Sequence, residues 1–75
     1  MKPPFLKVRE MIRILESLGF YEARQKGSQK FFKHRDGRVT TVPFHKGRDL
    51  ATGIVRQICK DVNMAIEELK RILGE

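Results

Sequence analysis

His34 and His45 are the two histidines of the chain, and histidine is the side chain whose ordinary pKa lies closest to neutrality. A group of that kind can take a proton as a base or return it as an acid, a contribution typically worth about 10²–10⁴-fold in rate. His45 is followed directly by Lys46, whereas His34 stands just before an Asp36-Gly37 turn and reads as a solvated strand end. The histidines do not have metal-ligand spacing and Cys59 is the single cysteine, so neither a metal site, an internal disulfide nor a cofactor is expected. Gly27-Ser28 offers backbone amides and a hydroxyl that could hold a phosphate, or it is an ordinary strand-entry turn.

Charge points the same way. Sixteen Lys and Arg against nine Asp and Glu give a net charge of +7. Arg24, Lys26, Lys30, Lys33, Arg35, Arg38, Lys46 and Arg48 crowd one stretch, with Asp36 inside it and Asp49 at its end. Such a balance favours an anionic partner, and the local density favours RNA. No run reaches the roughly 20 apolar residues of a membrane span, and the opening MKPPFLKV lacks the apolar core of a signal peptide. A cytoplasmic chain without a membrane partner is the expectation.

The elements that must position these groups are readable from periodicity. Seventy-five residues make one domain, residues 1–75, with a small core. Val8, Met11, Ile12, Leu15 and Leu18 form the apolar face of a first helix, with Pro3-Pro4 at its entrance and Gly19 at its C-cap. A first strand over residues 20–24, a loop over 25–28, a second strand over 29–34 and a third over 39–42 follow, the last ending at Pro43. Phe31 and Phe32 are adjacent and so lie on opposite faces; either could meet the helices, leaving the other open. Thr52 is the expected N-cap of a second helix through Val55, Ile58, Cys59 and Val62, which Asn63 interrupts. Ile66, Leu69, Ile72 and Leu73 mark a short terminal helix. The expected fold is α+β: a three-stranded antiparallel sheet with helices on one face and Val8, Met11, Ile12, Leu15, Val55, Ile58 and Leu69 in the core.

Several segments resemble one family in order and spacing: the first helix with Leu18-Gly19-Phe20, then Gln25-Lys26-Gly27-Ser28, then Thr40 to Gly47 (TTVPFHKG), then Gly53 to Asp61 and Ile66 to Leu73. Together they are similar to HicA toxins of toxin–antitoxin systems over nearly the whole chain. The resemblance implies a double-stranded-RNA-binding-domain-like fold, α-β-β-β-α, ribonuclease activity on messenger RNA, and neutralisation by a HicB-like antitoxin. It also implies a catalytic histidine directly after the glycine–serine pair, and here that position is Gln29. Glutamine can hydrogen-bond a phosphate or a base but has no proton to transfer at neutral pH. His45, inside the matching TVPFH stretch, is the candidate substitute, and Arg24, Lys26, Gly27, Ser28, Lys30 and Lys46 are the candidate RNA contacts.

Three functions fit this sequence. One is a HicA-type endoribonuclease weakened or inactivated by Gln29. Another is a non-catalytic module that binds RNA or an antitoxin through the same basic surface. The third is a small DNA-binding protein using Arg56, Gln57 and Lys60 of the second helix.

Overall fold

The computed structural model describes residues 3–45 and 48–74; Lys46 and Gly47 of the basic loop lie outside the described residues. Chain order is β1 (Leu6–Lys7), α1 (Val8–Ser17), β2 (Tyr21–Lys26), β3 (Gln29–Lys33), β4 (Val39–Pro43), β5 (Asp49–Leu50), α2 (Thr52–Asp61) and α3 (Ile66–Ile72). Strands β2, β3 and β4 form an antiparallel sheet in that order, and β1 pairs with β5 as a separate two-residue ribbon. This is the α+β, double-stranded-RNA-binding-domain-like arrangement, with the ribbon and α3 added to it.

α1 buries Val8, Met11, Ile14 and Leu15. Ile12 and Leu18 only border the core, so the buried stripe is rotated toward Ile14 relative to the sequence expectation. The Glu10 carboxylate accepts from the Lys7 amide at 3.0 Å, which satisfies one of the orphan donors at the helix start. At the other end Phe20 N–H donates to the Leu15 carbonyl and Gly19 N–H to Glu16. That is a Schellman turn, and Gly19 takes the positive φ of 95° it requires. α2 closes identically: Asn63, at φ 60°, occupies the glycine position, Asn63 N–H donates to Lys60 and Met64 N–H to Cys59. Both turns send a buried residue, Phe20 or Met64, back into the core.

Two expected helix starts are corrected. Pro3 and Pro4 are not at the entrance of α1, because Leu6–Lys7 first pairs with β5 and the helix begins only at Val8. Thr52 is the first residue of α2 and not its cap; Ala51, in extended conformation, is the N-cap. In α3 Leu69 is buried, but Ile72 is exposed, because a seven-residue helix turns only one row of side chains inward.

β3 is the central strand. Phe32 faces the helices and is 1% exposed, opposite Thr40 of β4, while Val42 lies opposite Lys30. Thr40, a buried polar side chain, donates to Asp61 of α2 at 3.0 Å, so its hydroxyl is satisfied where the sheet meets the helix. Cys59 is buried in the same core, and burial pushes its thiol pKa up, which leaves it unreactive.

Candidate nucleic-acid interface

β2 begins a residue later than expected and runs on through Gln25 and Lys26, so the four-residue loop shrinks to a two-residue turn, Gly27-Ser28. Lys26 pairs with Gln29 across it. Gly27 has φ 58°, the left-handed geometry that a glycine-first hairpin turn requires. The Gln25 side-chain amide donates to the Gly27 carbonyl at 3.0 Å, and the Phe44 amide donates to the Ser28 carbonyl. This second bond ties the end of β4 to the turn. Gln29, paired with Pro43, and His45, one residue past Phe44, therefore stand at the same end of the sheet, both exposed.

Phe31 and Phe32 divide the faces as their adjacency demands. With Phe32 inward, Gln29, Phe31 and Lys33 share the face turned away from α1 and α2, beside Pro43, Thr41 and Val39 of β4. A bulge between Glu22 and Arg24 shifts the register of β2, so that Arg24 pairs with Phe31 and Tyr21 with Lys33. Arg24 thus joins the open face, and its guanidinium lies 4.6 Å from the centroid of the Phe31 ring. Glu22, by contrast, is on the helix side of β2, opposite Phe32.

Of the expected RNA contacts, Arg24, Lys26, Gly27 and Ser28 gather on or beside this end of the sheet with Gln29. Lys30 is turned to the other face. Its ammonium is 2.8 Å from the Glu22 carboxylate and 4.7 Å from the centroid of the Phe44 ring. Arg38 is also committed elsewhere: it donates to Asp36 at 2.8 Å and to the Val62 carbonyl, and it covers the Phe20 ring. The amide and guanidinium of Arg38 hold the Asp36 carboxyl below the usual carboxylate range. On α2, Gln57 donates to Asp61 at 2.8 Å.

His34 differs most from its sequence reading. It is half-buried, not solvated. Its Nε2 donates to the Leu18 carbonyl at 3.2 Å, since a carbonyl can only accept, and its Nδ1 lies 3.1 Å from both the amide and the carboxylate of Asp36. The ring meets Phe20 edge-on at 5.0 Å between centroids. Both nitrogens are occupied: Nε2 fastens the β3–β4 hairpin to the end of α1, and Nδ1 is held within the hairpin turn itself. The sequence signal for this pairing was weak: Leu18-Gly19-Phe20 and His34 are far apart and joined only by the fold.

A small helix-backed antiparallel sheet with one open, basic face defines the class, a double-stranded-RNA-binding-domain-like domain. Residues 8–64, from the first residue of α1 to the turn after α2, match the family described as HicA toxin of bacterial toxin-antitoxin. The chain belongs to the HicA toxin family, with β1 and α3 outside the matched segment. No curated protein matches the chain. Among the described residues, no helix is long and apolar enough to cross a membrane, and no cluster of His, Cys, Asp or Glu could hold a metal ion.

Proposed function

We propose that this chain is the toxin of a bacterial toxin–antitoxin pair, that it binds messenger RNA through the turn at Gly27-Ser28 and the basic residues beside it, and that Gln29 leaves the cleavage step weak or absent. The supporting observation is the placement of Gln29. It is exposed, it directly follows the turn, and it stands among Lys26, Arg24 and the end of β4 that carries His45. A histidine there could exchange protons with a bound phosphodiester; the glutamine amide can only hydrogen-bond it. A HicB-like antitoxin is the natural protein partner and the cytoplasm the natural compartment.

Restoring the histidine tests this reading. Gln29→His should raise cleavage of a labelled transcript by about 10²-fold or more, the usual size of an acid–base contribution, and arrest growth on expression. His45→Ala on that background then shows whether His45 assists. Strong cleavage by the unaltered chain would place the chemistry elsewhere. One observation favours a second reading, a non-catalytic RNA- or antitoxin-binding module: with His34 engaged at both nitrogens, His45 is the only described histidine left for proton transfer. If neither Gln29 nor the restored histidine supports cleavage, that module is the better description.

A further inference from the structure

The open face of the sheet carries more than charge. Phe31 is only partly covered, and around it Ala23, Arg24, Lys33, Val39 and Thr41 line a concavity of about 480 Å³, within the size range of ligand sites. Among the described residues the face presents Arg24, Lys26 and Lys33 and no carboxylate; Glu22, the acidic residue of β2, is on the opposite face in its ion pair with Lys30. Tyr21 and Val39, each 55% exposed, stand at its far end, both opposite Lys33.

We propose that this concavity is a base-stacking subsite for single-stranded RNA, centred on Phe31 and Arg24. The proposal rests on the reading of the chain as an RNA binder and names the form of RNA and the residues that select it. Three features favour an unpaired strand. The Arg24 guanidinium lies over the Phe31 ring, 4.6 Å from its centroid, and a base can stack on the guanidinium or, by displacing it, on the ring. Thr41, opposite Phe31 across the strands, and Lys33 line the same concavity and carry polar groups that the edge of a base could meet. Gln29 is two residues from Phe31 on the same strand and the same face, about 7 Å away by strand geometry. A base on Phe31 therefore brings the adjoining phosphodiester to Gln29 and the Gly27-Ser28 turn. Duplex RNA cannot do this, because its bases are stacked on one another and turned inward. The lack of any carboxylate, with three cations spread among the apolar groups, matches the alternation of phosphate and base along a single strand.

Binding of the unaltered chain is measured by fluorescence anisotropy with a labelled RNA of about twelve nucleotides, of mixed sequence without self-complementarity, and with the same strand annealed to its complement. The single strand should bind more tightly. Phe31→Leu keeps an apolar side chain but removes the ring, and should weaken single-strand binding by about 5- to 150-fold, with the slope of affinity against salt unchanged. Phe31→Tyr should bind like the original. Thermal unfolding of each variant establishes that it is folded. Tyr21, the one tyrosine of a chain without tryptophan, gives a reading that needs no substitution: the single strand should quench its emission. Equal affinity of folded Phe31→Leu, preference for the duplex, or unquenched Tyr21 would overturn the subsite. So would a Phe31→Leu chain that keeps its RNA affinity and loses an acidic antitoxin. Salt-sensitive RNA binding indifferent to Phe31 would end this proposal and leave the RNA-binding reading standing; a chain that binds neither form would end both.

Discussion

His34 illustrates how a residue type suited to acid–base chemistry becomes part of the frame instead. Its ring fills the space beside Gly19 so closely that a Cβ on Gly19 would lie 2.9 Å from Nε2. That nitrogen cannot swing aside without giving up its bond to the Leu18 carbonyl. Gly19 therefore has two reasons to be glycine, the contact and a φ of 95°. Gly19→Ala should destabilise the domain by at least about 1–2 kcal/mol, the cost of a side chain at positive φ, read as a lower urea midpoint at unchanged m value. An unchanged midpoint would mean that the hairpin and α1 are not fastened here. Gln29 is the opposite case. It is open on the surface, its side chain supports nothing in the core, and its substitution by histidine is a test of chemistry with little effect on stability.

At the scale of elements, what repeats locally was legible. The apolar spacing of α1 and α2, the glycine after Leu18, Asn63 after Val62 and the Asp36-Gly37 turn all encode their own geometry within a few residues. Leu15, 0% exposed, is the centre of that legible part; Leu15→Ala should cost about 2–5 kcal/mol in chemical denaturation, and a variant of unaltered stability would show the buried face of α1 to be another. What depends on distant pairing was not legible. The β1–β5 ribbon joins Leu6 to Leu50 without a turn between them or a periodic pattern on either side, so the prolines before it read as a helix entrance. The division between Phe31 and Phe32 could not be settled from β3 alone, since each has polar neighbours. It is decided by β4 and α2, where Thr40 finds Asp61 and Val42 finds the core. The bulge in β2 was equally hidden, yet it is what brings Arg24 over Phe31. That Gln29 opens a strand directly after Gly27-Ser28 was readable from the sequence; which residues share its face was not.

Over the whole molecule, the basic stretch seen in the sequence separates into cations that serve the fold and cations that face solvent on the open sheet. Lys30 is held by Glu22 on the helix side, and Arg38 is held by Asp36 and the Val62 carbonyl at the junction with α2. Arg24, Lys26 and Lys33 share the face that leads to Gln29. Each phosphate neutralised on a single strand contributes a slope of roughly −0.7 in log affinity against log salt concentration. Three cations on the open face should thus account for a slope of roughly −2, before any contribution from the loop after His45. The distinction is testable by charge removal. Lys26→Gln or Lys33→Gln should make the slope shallower by roughly 0.7 while leaving the unfolding midpoint nearly unchanged. Arg38→Gln should do the reverse, lowering the midpoint because the Val62 carbonyl and the Phe20 ring lose their cover, with the slope retained. If Lys33→Gln leaves the slope intact and Arg38→Gln flattens it, the RNA path runs across the junction of the hairpin with α2 and not along the open face.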